Sequence, residues 1–260
     1  MSENYLAPLA YFINENNAND EWVIFLHAAF VDHRMFNSQL EYFNDKYNIV
    51  AIDILGHGKS VNCNKTDSIE QMASYINNIM QKHNIQKAHF VGVSLGCVFA
   101  QDFANKYQDK VASMACFGGY DINDFDINKQ KENSKAQMKL ITKALFSIKA
   151  FAKANKEISA YSQEGKEEFY KLNLEFKKKS LIYLSKLQNL VNKFPKKQRT
   201  YPLLVGCGQF DIPMEIEIVK DWAEKENCQK VIIQGAGHCI NLDKPQEFNN
   251  ILEEFWKSCK

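Results

Sequence analysis

Ala88-His89-Phe90-Val91-Gly92-Val93-Ser94-Leu95-Gly96-Cys97 is the stretch on which the reading of this 260-residue chain turns. Residues 88 to 93 form a short, largely apolar run with β-branched and aromatic members, which reads as a buried strand. From Leu95 to Tyr107 the apolar positions take helical spacing. Between the two lies G-x-S-x-G. A serine wedged between strand and helix sits on a sharp, strained turn, and small residues two before and two after it leave room for the crowded backbone while lifting the hydroxyl into a cleft. The motif is short enough to arise by chance, so its meaning depends on partners elsewhere in the chain.

Outward from this point, similar runs recur at Leu9 to Ile13, Trp22 to His27, Ile49 to Asp53, Val111 to Phe117, Leu203 to Gly206 and Val231 to Ile233. Amphipathic stretches such as Ile69 to His83 lie between them. Strands alternating with helices predict an α/β fold, a mostly parallel sheet flanked by helices on both faces. No internal repeat and no Ser- or Pro-rich linker divides the chain. From Lys129 to Arg199 the alternation stops. Met138, Ile141, Leu145, Ile148 and Ala152 recur at spacings of three and four, as do Phe169, Leu172 and Phe176, then Tyr183, Leu187, Leu190 and Phe194. These predict helices, with a break near Gln163-Glu164-Gly165.

Composition narrows the classes. There are 32 basic and 31 acidic residues and 45% apolar content, as in an ordinary globular protein rather than a disordered or low-complexity chain. The longest apolar run, Trp22 to Val31, is half of what a membrane span needs, and Met1-Ser2-Glu3-Asn4 shows no export signal. Seven cysteines without a C-x-x-C pair fit reduced thiols, so a cytoplasmic location is expected. The near-neutral total hides a division. Residues 129–199 hold 17 lysines and one arginine against six glutamates, a net of +12, which leaves −11 for the rest.

Serine is a poor nucleophile near neutral pH unless a base takes its proton and an acid orients that base. The base candidate is His238, on the glycine-rich loop Gly235-Ala236-Gly237 after the run 231 to 233. The acid candidate is Asp211, directly after the run 203 to 206; Asp121, Asp124 and Asp126, which follow Val111 to Phe117, are rivals. All three side chains then leave the carboxyl ends of parallel strands, where open α/β sheets bind ligands. His27 and His57 are read as holding their loops by hydrogen bonds.

With these motifs the chain resembles the α/β-hydrolase superfamily over nearly its whole length. Phe25-Leu26-His27-Ala28-Ala29-Phe30 looks like the family's His-Gly-x loop, although Ala28 stands where glycine is usual. Asp53-Ile54-Leu55-Gly56-His57-Gly58-Lys59-Ser60 resembles its Asp-x-Arg-Gly-x-Gly-x-Ser segment, with Leu55 in place of arginine. Leu242-Asp243-Lys244-Pro245 resembles its last loop. The stretch His27 to Asp53 is similar to the enol-lactonase and small-carboxylesterase branches. The resemblance implies an oxyanion hole from the backbone N–H groups of Ala29 and Leu95, and a core at 1–120 and 201–260 with a helical cap at 121–200. Substrate contacts are expected from Phe30, Phe36 and Cys97. Members with aspartate at the elbow, epoxide hydrolases and haloalkane dehalogenases, are disfavoured because position 94 is serine.

The expected activity is serine hydrolysis of a small carboxylic ester, lactone or thioester without a cofactor. Carbon–carbon cleavage of a β-diketone-like substrate, or a slow-turnover ligand sensor with a protein partner, are the alternatives. Gly56-His57-Gly58-Lys59-Ser60 superficially suggests a phosphate loop, but Asp53 stands where that motif needs glycine. No metal-ligand spacing is present, so no metal is expected. Arginine is scarce in the basic segment, which argues against nucleic acid. Its lysines either solvate helix faces or steer an anionic acyl substrate.

Overall fold

The computed structural model describes residues 1–15, 20–61, 64, 66–126 and 142–259. Eight strands form one sheet: β1 (Ser2–Leu6), β2 (Leu9–Asn14), β3 (Trp22–Leu26), β4 (Asn48–Ile52), β5 (Ala88–Val93), β6 (Val111–Phe117), β7 (Leu203–Gly208) and β8 (Gln229–Ile233). Their spatial order is β1-β2-β4-β3-β5-β6-β7-β8. The six strands from β4 through β3 to β8 run parallel to one another, while β2 pairs antiparallel with β4 and β1 antiparallel with β2 at one edge.

The strands read as near-continuous apolar runs because both faces are covered. Along β3, Ile24 and Leu26 join one apolar cluster and Val23 and Phe25 the other; Val50 and Ile52 against Ile49 and Ala51 repeat this on β4. The first face carries α2 (Met72–Lys82), α3 (Leu95–Tyr107) and α7 (Pro213–Glu226). The second carries α1 (Asn37–Phe43) and α9 (Pro245–Ser258), with the single turn α8 (Ile240–Asp243) between.

β1 has no counterpart in the sequence reading. Its residues alternate between exposed and half-buried, and the strand is held by pairing with β2. An edge strand with little apolar content leaves no hydrophobic run to read.

Between β6 and β7 the described chain is helical: residues 142–146, α4 (Ile148–Ser159), α5 (Gln163–Leu174), the short α6 (Leu181–Leu184) and a 3₁₀ turn at Leu187–Leu190. Met138 and Ile141 lie outside the described residues. Three details differ from the periodicity. Leu145 is exposed, and Ser147 starts a new helix by accepting the Ala150 N–H, so the buried face of α4 is Phe151, Ala152, Asn155 and Ser159. Gln163 begins a helix instead of ending one. Ser162 caps it, and Gly165 is there because a Cβ would stand 2.4 Å from Asp243 Oδ1. Tyr183 to Phe194 forms short turns rather than one helix, and the chain reverses at Asn192, φ 52°. No described helix is long and apolar enough to cross a membrane.

Candidate active site

Ser94 occupies the junction of β5 and α3 with φ 52° and ψ −110°. A non-glycine residue held there costs on the order of 1–3 kcal/mol, which the surroundings must offset. They do so by close packing. Ser94 N–H donates to Phe117 O at 2.8 Å, and Cys97 N–H donates to Ser94 O at 3.0 Å. The flanking glycines are needed for contact distance: a Cβ on Gly96 would lie 1.9 Å from Leu26 O, and one on Gly92 would lie 2.6 Å from Cys97 N. The start of α3 therefore presses directly on the end of β3.

Asp211 follows β7 and His238 follows β8. The two loops are locked in register by Gln209 N–H to Ile233 O at 2.9 Å and Phe210 N–H to Ala236 O at 2.9 Å. Asp211, 4% exposed, meets His238 Nδ1 through both oxygens, at 3.0 and 3.1 Å. The rivals Asp121 and Asp124 are engaged by lysines instead, Asp121 by Lys196 at 3.7 Å and Asp124 by Lys225 at 2.8 Å. The imidazole lies over the end of β6. A Cβ on Gly118 would be 2.9 Å from His238 Cε1, and the next residue, Gly119, packs on Cys97 with Ser94 O 3.9 Å from its Cβ position. Ser94 and His238 thus flank the same three-residue segment, Phe117 to Gly119. Among the described residues neither Ser94 Oγ nor His238 Nε2 has a hydrogen-bond partner.

Burial opposes charge on the imidazole. Asp211, in contact, and Glu215 and Cys97, close by, outweigh it, and the pKa of His238 is pushed up to about 9. Glu215 is a residue the sequence reading missed. Its Oε2 is buried without a partner, and burial, reinforced by Asp211 and only partly offset by His238, raises its pKa. Its position four residues after Asp211, in the first turn of α7, was the available signal.

The loop after β3 carries Ala28, Ala29 and Phe30. His27 fixes it: its Nε2 accepts Ile54 N–H at 2.9 Å, and its Nδ1 contacts Ala28 O at 2.7 Å, which makes it a neutral ring protonated at Nδ1. Burial lowers its pKa accordingly. His57 contacts Leu55 O through Nδ1 at 3.3 Å, and burial, aided by His27, pushes it down to about 3. Asp53, His33 and Asp32 approach within 4.8 Å of one another, yet Asp53 already accepts from the backbone and ring of His33 and from Lys59 N–H, and Asp32 from Arg34. This clasp joins the loops after β3 and β4.

Leu95 follows Ser94 as the first residue of α3, and Ala29 lies on the loop after β3; among the described residues neither N–H has an acceptor. Phe30 has φ 69° and meets the helical segment edge-on, 4.9 Å from Phe151 and 5.1 Å from Phe176. Phe36 is fully buried in the core against Phe25, with ring centroids 5.0 Å apart. Cys97 is fully buried under Gly119, its thiol directed to Gly92 O and Phe117 O. Two further residues escaped the sequence reading, Asn155 and Asn173. Their signal was a polar residue four positions on from a buried aromatic, Phe151 and Phe169.

The sequence profile described as the alpha/beta hydrolase fold matches residues 21–245. The chain belongs to this family. Among curated proteins it is 21% identical over 272 residues to epoxide hydrolase 3 of Xenopus tropicalis, covering 95% of this chain and 74% of that one. It is 24% identical over 244 residues to 3-oxoadipate enol-lactonase 2 of Acinetobacter baylyi, covering 90% and 88%. Among solved structures, the enol-lactonase of Burkholderia xenovorans LB400 superposes with a TM-score of 0.80 at 17% identity, covering 98% of this chain and all of that one. The hydrolase fold accounts for the strand order, the turn at Ser94 and the position of both partner loops at the carboxyl edge of the sheet.

Proposed function

We propose that this chain is a serine hydrolase that cleaves a small carboxylic ester, lactone or thioester through an acyl-enzyme. The observation that carries the reading is the Asp211–His238 pair beside a serine held at positive φ on the elbow between β5 and α3. His238, oriented at Nδ1 by Asp211, takes the Ser94 proton through Nε2 as the hydroxyl attacks the carbonyl carbon. The Nε2 contact forms with substrate in place, since such bonds commonly tighten only in the reacting complex. The N–H groups of Ala29 and Leu95 stabilise the oxyanion, each contributing about 100- to 1,000-fold. His238 then protonates the departing alcohol or thiol, and a water that it deprotonates releases the acid and restores Ser94.

Similarity to an enol-lactonase supports ester-like substrates. Similarity to an epoxide hydrolase is weighed against Ser94, whose hydroxyl forms a carboxylic ester on attacking a carbonyl and so suits acyl transfer. The lysine-rich helices between β6 and β7 act in this reading as a cap, with Phe30 at the seam, and favour an acyl group that bears negative charge. Labelling with a fluorophosphonate probe, mapping of the modified residue, and a screen of p-nitrophenyl esters by chain length beside lactones and thioesters test the proposal. Ser94 is expected to carry the label, and Ser94→Ala to lose turnover by up to about a million-fold. A label elsewhere, or unchanged turnover in that variant, removes the reading.

A further inference from the structure

The oxyanion donor on Ala29 sits on a loop without regular structure, and the next residue, Phe30, is held at positive φ. What holds it there comes from the helical segment. Asn173, on α5 and fully buried, donates through Nδ2 to Phe30 O at 3.0 Å. Its Oδ1 accepts from Asn155 Nδ2 on α4 at 3.1 Å, and Asn155 Oδ1 accepts from Ser159 Oγ at 3.5 Å. Every amide in this row has a fixed sense. Flipping Asn173 would set its oxygen against Phe30 O and its nitrogen against the Asn155 nitrogen.

The same helix pair reaches the histidine loop. Cys239 N–H donates to Ser159 O at 2.6 Å. Asp243 accepts from Gly237 N–H at 2.7 Å on one side, and from Tyr161 N–H, Ser162 N–H and Ser162 Oγ on the other. The α4–α5 hairpin is therefore bonded to Phe30, the residue after Ala29, directly to Cys239 and, through Asp243, to Gly237.

We propose that Asn173, backed by Asn155, is a positioning residue for catalysis: by holding the Phe30 carbonyl it sets the direction of the Ala29 N–H toward the oxyanion. The inference rests on the acyl-enzyme reading above and goes beyond it in giving the hairpin a share in the rate. Its substrate contact is indirect, so the expected signature is a loss confined to the transition state. A misdirected donor costs about ten- to a hundred-fold, less than its complete removal.

The experiment uses the full chain with Asn173→Leu, Asn173→Asp and Asn155→Ala, and with Glu157→Gln as control. The control removes the Glu157–Lys166 ion pair between the same two helices, at an exposed glutamate outside the amide row. For the best ester from the substrate screen, kcat is expected to fall about ten- to a hundred-fold in the Asn173 variants, with KM within about twofold. A boronic acid, which mimics the tetrahedral adduct, is expected to weaken in step with kcat, and the control to match wild type. If Asn173→Leu does not fold, Asn155→Ala, which leaves Asn173 free to rotate, reads the same effect at smaller size. Folded variants with wild-type kcat, or a kcat loss with unchanged boronic acid affinity, overturn the proposal. Failure of the fluorophosphonate to label Ser94 in wild type overturns the underlying acyl-enzyme reading instead, so the two failures are distinguishable.

Discussion

The base proposed for the reaction carries an unusual charge, and this can be measured. With the His238 pKa at about 9, only about 1% of the enzyme holds a neutral imidazole at pH 7, against half at pH 9. The expected kcat/KM on a neutral ester therefore rises about fifty-fold between those two values, with a single ionisation near 9. Two carboxyl groups hold the proton in place, Asp211 by contact and Glu215 from a buried position without a partner. Glu215→Gln keeps the volume and removes the charge, so its midpoint is expected below the wild-type value. The linked stability runs the other way. A histidine whose folded pKa lies above its unfolded value of about 6.5 contributes fully below pH 6.5 and loses that contribution as pH rises through 9. The shift corresponds to about 3 kcal/mol for a side chain 18% exposed. The assay is initial rate against pH from 6 to 10 in buffers of constant ionic strength, with thermal melts at the same points. A kcat/KM limb centred near 6.5, or an identical midpoint in Glu215→Gln, would refute the electrostatic account of the site.

Gly96→Ala would force a methyl to within 1.9 Å of Leu26 O, so it should destabilise the fold by more than about 3 kcal/mol and abolish Ser94 labelling, read by chemical denaturation and probe gel. Asp243→Ala removes the acceptor for Gly237, Tyr161 and Ser162, and an expected loss of about 2–4 kcal/mol should lower the melting temperature by several degrees. If the lysine-rich helices steer an anionic substrate, raising salt from 20 to 500 mM should cut kcat/KM several-fold for a carboxylate-bearing ester and leave a neutral one unchanged, because the screening length falls from roughly 20 to 4 Å. Equal responses would dismiss steering.

Much of the sheet was legible because each buried strand announces itself as an apolar run between turns; β5 and α3 begin and end where their residues predict. The partner loops were legible for the same reason, since Asp211 and His238 follow such runs directly. What escaped depends on contacts that sequence spacing does not carry. β1 exists through its ladder with β2. Gly165 suggested a break in a helix, and it proved to be the place where a distant carboxylate lies against the backbone. Phe36 is aromatic and lies near the loop after β3 in sequence, yet its side chain turns into the core beside Phe25. Asn155 and Asn173 are ordinary helix residues until two helices and a loop bring them into one hydrogen-bonded row.

The two ends of the sheet bear on how this protein behaves in concentrated solution. An outermost strand offers a row of unpaired backbone groups on which another molecule's strand could polymerise. Here β1 presents Ser2, Glu3 and Tyr5 outward, with Lys59 paired to Glu3, and β8 starts with exposed Gln229 and Lys230. A stranger docking at either margin would have to strip water from these groups, so the ladder stops where the chain stops it.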